Sequence, residues 1–187
     1  MTLFPYTTLF RSFGRDRHAG RSADAVIRAA VPGDAEAAAA LLNEVVLPTT
    51  VSFRHEDWGV EEMAARIARL AATGKATFVA ERDGRVVGLA SYDQFRGGSG
   101  YATAMEHSVA LRPEARGTGL GRALVEAVAA HAAAGGARTL WAGVSGENAA
   151  GQAFHARCGF QEIARLPGPG FKFGRPLDLV LMRRALV

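Results

Sequence analysis

A chain of 187 residues, 49% of them hydrophobic, is long enough for one domain with a substantial core, and nothing in it marks a second domain. Its single cysteine, Cys158, excludes an internal disulfide and fits a reducing compartment, and no apolar run approaches the roughly 20 residues of a membrane span. The net charge of +4 would suit a nucleic-acid binder, but half of it belongs to residues 1–24, where Arg11, Arg15, Arg17 and Arg21 face only Asp16 and Asp24; what remains is a mild basic excess.

Residues 2–12 show no periodic apolar face and resemble the in-frame translation of a common short-read sequencing adapter. Residues 1–23 are therefore read as a disordered or artefactual extension, and residues 24–187 as the functional domain. Ala25 to Val31 is a predicted first strand. Pro32-Gly33-Asp34 supplies a turn and a cap for a helix through Val46. A second helix is predicted from Val60 to Thr73, with Met63, Ile67 and Leu70 at helical spacing, Asp57 as cap and Gly74 as stop. Thr77–Glu81 and Val86–Tyr92 flank Asp83-Gly84, the strongest short hairpin signal in the chain. A third strand, Thr103–Leu111, continues the meander and leads to a helix carrying Leu120, Leu124, Ala127, Val128 and His131 on one face, ended by Gly135-Gly136. A buried strand at Thr139–Val144, a short helix at Asn148–Cys158, and closing strands at Phe160–Leu166 and Leu177–Met182, joined by a Pro/Gly-rich loop, complete an α/β order.

Between the third strand and its helix lies Arg116-Gly117-Thr118-Gly119-Leu120-Gly121-Arg122. Glycines let backbone N–H groups crowd a phosphate oxygen, and the helix that follows adds its unpaired N–H groups and positive dipole end, so the segment is expected to hold a phosphorylated ligand. The Gly-Lys-Ser/Thr ending of a P-loop and the G-x-G-x-x-G spacing of a Rossmann turn are both missing.

Arg116-x-x-Gly119-x-Gly121 resembles the R/Q-x-x-G-x-G/A pyrophosphate loop of the GNAT acyl-CoA N-acyltransferase superfamily. Upstream Glu106-His107-Ser108-Val109-Ala110-Leu111 and downstream Asn148 to Phe160 match that superfamily in order and spacing. More narrowly, Asn43 to Thr50, Glu106 to Val109 and Phe171 to Asp178 resemble the phosphinothricin and methionine sulfone N-acetyltransferase branch, over residues 26–187. The resemblance implies a single-domain GNAT fold, a mixed and mostly antiparallel sheet flanked by helices. It also implies acetyl-CoA as cosubstrate, cytoplasmic residence and a small amino-acid-like amine as acceptor.

An alkyl amine with a pKa near 10.4 must lose a proton before it attacks a thioester, so a carboxylate near the acyl group is required. Glu106 is the expected base; by strand alternation it shares a face with Ser108 and Ala110, while His107 points the other way. The resemblance implies that the backbone of Val109 and Leu111 holds pantetheine and aims an N–H at the thioester oxygen, stabilising a tetrahedral intermediate in a direct transfer. It places Arg116, Gly117, Thr118, Gly119, Leu120, Gly121 and Arg122 on the pyrophosphate, with Arg157 a further phosphate contact. Asn148 and His155, two helical turns apart, share a face. Asn148 binds pantetheine or caps its helix. His155 stands where many relatives have a tyrosine and either protonates the leaving thiolate or only packs. Arg96, with Ser99, Gly100 and Tyr101, is placed by the resemblance in the amino-acid pocket, where a guanidinium suits a carboxylate. Gly98 and Ala102 depart from the branch, which widens that pocket and lowers its charge.

No metal-ligand spacing and no Ser-His-Asp or Cys-His arrangement stands out. The expected partners are acetyl-CoA and a small amine, with no metal, nucleic acid or membrane, and with a homodimer as a compatible assembly. Two rival readings remain: a protein, peptide or polyamine N-acetyltransferase, and a non-catalytic acyl-CoA sensor.

Overall fold

A computed structural model of the chain describes residues 25–186. The expected N-terminal extension, residues 1–23, lies outside them. The elements follow the predicted order: β1 (Val26–Ala29), α1 (Ala35–Val46), α2 (Val60–Ala72), β2 (Thr77–Arg82), β3 (Arg85–Gln94), β4 (Ala104–Leu111), α3 (Leu120–Ala134), β5 (Thr139–Ser145), α4 (Ala149–Arg157), β6 (Gln161–Lys172) and β7 (Arg175–Ala185).

The strands form one sheet in the order β1-β2-β3-β4-β5-β7-β6, antiparallel except where β4 meets β5. Period-two alternation sends side chains to two separate cores. On one face Leu41 and Val45 of α1, with Met63 and Ile67 of α2, pack on Val79 and Leu89. On the other, Leu124, Val125 and Val128 of α3 pack on Ala80, Ala90, Leu140 and Val180.

Turn chemistry accounts for most boundaries. Asp83 and Gly84, at φ of 52° and 71°, make the β2–β3 hairpin, and Phe173 and Gly174, at 52° and 75°, make the β6–β7 hairpin. Two expectations fail here. The Pro/Gly-rich run is not the connection between the closing strands: Pro167 to Gly170 lies inside β6, where the register with β7 shifts between Leu166 and Gly170, because a bulge accepts residues that a ladder cannot. Asp57 does not cap α2, which starts after Gly59 with no side-chain cap and carries Glu61 and Glu62 in its first turn. Asp34 does act at the start of α1: its carboxylate accepts from the Val31 N–H at 2.8 Å and is held by the Arg28 guanidinium.

Candidate active site

Gly117 and Gly119 take φ of 73° and 87°, a left-handed backbone that a Cβ disfavours, and a Cβ built on either meets nothing within 4 Å. Gly119 also serves as N-cap of α3 and offers no side chain to the first-turn N–H groups, which have no side-chain cap. Gly121 has a different reason for being glycine. A Cβ there would stand 2.9 Å from Leu111 Cδ1 and 3.2 Å from Phe154 Cε2, so its absence lets α3 seat against β4 and α4.

Arg116, Gly117, Gly119, Gly121 and Arg122 line a cleft of about 470 Å³ that runs past Val109, Leu111 and Asn148 to Arg157. Among the described residues none of those three arginines is taken up in an ion pair. A bare helix start, an open glycine cradle and free guanidinium groups fit a pyrophosphate-bearing ligand. Thr118 and Leu120 do not face the cleft: the Thr118 hydroxyl donates to the Ala115 carbonyl at 2.7 Å, and Leu120 is buried in the core.

The cleft continues into a fork in the sheet. β4 and β5 are paired only over Ala104–His107 and Thr139–Ala142, after which β4 stays with β3 and β5 with β7. Ala104 O accepts from Phe95 N and Arg112 N donates to Val87 O, so even-numbered residues of β4 turn their backbone groups toward β3. Val109 and Leu111 therefore turn theirs into the opening that β5 has left.

Glu106 lies on the last stretch before the fork. It lines neither cavity, and a Cβ on Gly143, a wall residue of the α1–α2 cavity, would come within 3.1 Å of its Oε1. Burial raises the Glu106 carboxyl above its ordinary value, and the charge of Arg96 draws it part of the way back. His155 lines both cavities. Its Nδ1 stands 2.8 Å from the Gly151 carbonyl, which only accepts, so Nδ1 carries the hydrogen and Nε2 presents a lone pair. Burial lowers the His155 pKa, keeping the ring neutral; this geometry suits an acceptor better than an acid. His107, 5.2 Å away between ring centroids, is buried with both nitrogens unpartnered and pushed down to about 3 by that burial. Of the two roles expected of Asn148 as alternatives, the structure has the cap: its Oδ1 accepts from the Gly151 N–H at 2.9 Å at the start of α4, and the residue also lines both cavities.

On the α1–α2 face a second cavity of about 410 Å³ opens from the same fork. Its walls hold residues that the sequence reading missed: Trp58, Arg54, Arg66 and Ser91. A signal for Arg66 was present, since it falls on the stripe of Met63, Ile67 and Leu70, where an arginine is out of place. Two clamps shape this wall. Asn43 accepts from the Trp58 N–H at 2.8 Å and donates to its carbonyl at 3.1 Å. Lys172, 2% exposed, donates to the carbonyls of Val46 at 2.7 Å and Ser52 at 3.0 Å. The residues expected around the amine's carboxylate are not brought to the wall. Arg96 is exposed, its guanidinium 5.1 Å from the Phe95 ring, and the exposed turn Ser99–Tyr101 lines neither cavity.

Residues 40–160 match the family model described as acetyltransferase (GNAT) family. The chain belongs to that family. This GNAT protein is 38% identical over 161 residues to the phosphinothricin N-acetyltransferase of Alcaligenes faecalis, covering 86% of this chain and 82% of the relative. It is 33% identical over 160 residues to the L-methionine sulfoximine/L-methionine sulfone acetyltransferase of Salmonella typhimurium, covering 86% of this chain and 94% of that one. The crystal structure of a phosphinothricin acetyltransferase from Sinorhizobium meliloti in complex with acetyl-CoA superposes with a TM-score of 0.81 at 32% identity, over 86% of this chain and 88% of that one. The chain is an N-acetyltransferase of the GNAT fold, with a mostly antiparallel sheet of seven strands. Among the described residues no helix is long and apolar enough to cross a membrane.

Proposed function

We propose that this enzyme transfers acetyl from acetyl-CoA directly to the amine of a small amino-acid-like compound, of the phosphinothricin, methionine sulfone or methionine sulfoximine kind, with Glu106 as general base. The observation that carries the reading is the position of Glu106: a half-buried carboxylate with a raised pKa, beside Gly143 of the α1–α2 cavity wall, on the last paired stretch before the β4–β5 fork. Acetyl-CoA, when bound, supplies a thioester carbonyl as electrophile. The glycine loop and the start of α3 hold its pyrophosphate, and Arg116, Arg122 and Arg157 neutralise phosphate charge. Val109 aims a backbone N–H into the fork where negative charge develops on oxygen. Glu106 takes the proton from the incoming ammonium, directly or through one water. His155, neutral with Nε2 free, orients the reacting groups through that lone pair.

The relatives' acceptors support a compact amine, and the acceptor cavity, walled by α1, α2 and the Val46–Ser52 segment, has the size of a small molecule and not of a polypeptide. Release of free thiol from acetyl-CoA, measured against amino acids, their sulfone and sulfoximine analogues, polyamines and short peptides, tests the reading. Turnover confined to peptides or polyamines overturns it, and acetyl-CoA binding with no turnover on any amine makes the protein a sensor.

A further inference from the structure

Two arginines enter the acceptor cavity, and they are held very differently. Arg54 has three of its five N–H donors engaged: Nε with the Glu56 carbonyl at 2.9 Å, and Nη2 with the Asp57 carbonyl at 3.1 Å and the Glu62 carboxylate at 2.8 Å. Its guanidinium lies 3.9 Å over the Trp58 ring, so it is a structural brace. Arg66 has one long hydrogen bond, Nη2 to Ser91 Oγ at 3.3 Å, a looser approach to the Trp58 ring at 5.7 Å, and no carboxylate in ion-pair contact among the described residues. The acids nearest to it, Glu62 and Asp93, are already held by Arg54 and by Arg69. Burial, with the like charge of Arg69 behind it, lowers the Arg66 pKa against the opposing pull of the Asp93 and Glu62 charges. A guanidinium with four of its five N–H donors unclaimed in a cavity wall is an anion site by its chemistry.

Its place fixes which anion. Arg66 meets Ser91, whose hydroxyl is 3.2 Å from that of Ser108 on the facing strand. Ser108 lies on the same face of β4 as Glu106, two residues and so about 7 Å along the strand. Arg66 in the cavity wall and Glu106 beside the wall residue Gly143 thus lie over the same face of the sheet. We infer that Arg66 is the carboxylate subsite of the acceptor cavity, binding the α-carboxylate of an amino-acid substrate whose amine faces Glu106. This rests on the amino-acid reading above and transfers to Arg66 the role the sequence suggested for Arg96. Arg96, outside the cavity wall, is left to act on Glu106 through its charge.

The test compares L-methionine sulfone with 3-(methylsulfonyl)propylamine, the same molecule without its carboxylate, in the parent enzyme and in Arg66→Met, Arg66→Lys and Arg96→Ala. Arg66→Met, which keeps an apolar stem on the stripe, is expected to raise KM for the amino acid tenfold or more with a smaller change in kcat, and to leave the amine unaffected. Arg66→Lys keeps the charge without the planar fork; it should recover part of the preference, and it carries the test should Arg66→Met fail to fold. Arg96→Ala should preserve the preference. If neither Arg66 variant alters the ratio between the two substrates, the inference is overturned. If the parent enzyme acetylates neither compound, the amino-acid reading fails by itself, and Arg66 is then judged on binding. Trp58, 5.7 Å from the Arg66 guanidinium, reports occupancy through its emission as L-methionine sulfone is added. A saturating change in the parent that Arg66→Met abolishes supports the subsite, and no such change in the parent overturns it.

Discussion

The two cavities that meet at the β4–β5 fork are built on opposite plans. The phosphate-binding cleft uses contiguous sequence: Arg116 to Arg122 supply the glycines, the helix start and two of its three arginines within seven positions. The acceptor cavity draws on α1, α2, the Val46–Ser52 segment, β3 and β4, and it is held in shape by Lys172. A backbone site for a fixed ligand needs local geometry, whereas a side-chain site for a variable ligand needs walls that can differ independently.

The comparison is broken most severely at the shared point. Glu106→Gln is expected to lower turnover at neutral pH by roughly 10²–10⁴-fold while acetyl-CoA affinity holds, and the deficit should narrow as pH rises and more amine arrives deprotonated. Steady-state rates on both substrates across pH check it; near-parental turnover at neutral pH would falsify the base assignment. On the cleft side alone, acetyl-CoA at a hundredfold excess over Kd should stabilise the parent by about 2.7 kcal/mol. Gly121→Ala should weaken that protection, because its Cβ must push aside the Leu111 and Phe154 side chains on which the start of α3 rests; thermal unfolding with and without ligand reads the difference.

Effects confined to the acceptor wall are smaller. Lys172→Met removes the donor shared by two carbonyls and is expected to cost about 1–3 kcal/mol and to raise KM for the amine, with acetyl-CoA protection unchanged. Denaturant melts and paired KM values would separate the two cavities cleanly, and equal damage to both would show the division to be false. Arg96→Ala gives the smallest effect, a shift in one limb of the pH profile. Glu106 already holds its proton to a higher pH than an ordinary carboxylate, so activity rises with pH through its raised pKa. Removing the nearby cation should move that acid limb further up, and a limb that stays put or moves down would deny the coupling.

The same division explains what could be read from the residues. Element order, the Asp83-Gly84 hairpin, the glycine loop and the face shared by Glu106 and Ser108 are set by short-range chemistry and were legible. Asn148 was legible as a cap because a cap position is local. Pro167 to Gly170 misled, since a bulge is decided by the partner strand and not by the run itself. The acceptor wall was the least legible part. Arg66 acquires meaning only when α2 lies over Ser91 and Ser108, and Asn43 and Lys172, though part of recognisable stretches, work on backbone groups 15 and more than a hundred positions away.

The Lys172 clamp also orders events during synthesis. Everything that lines the phosphate cleft has left the ribosome once residue 157 is clear, whereas the donor that ties Val46 and Ser52 comes from position 172, on a strand completed only by the hairpin with β7. At about 5–20 residues per second the gap is brief, but it has a direction. A nascent chain therefore holds every residue of the phosphate cleft before it holds the donor that ties the acceptor wall, so that wall is the last part of the site to be supplied.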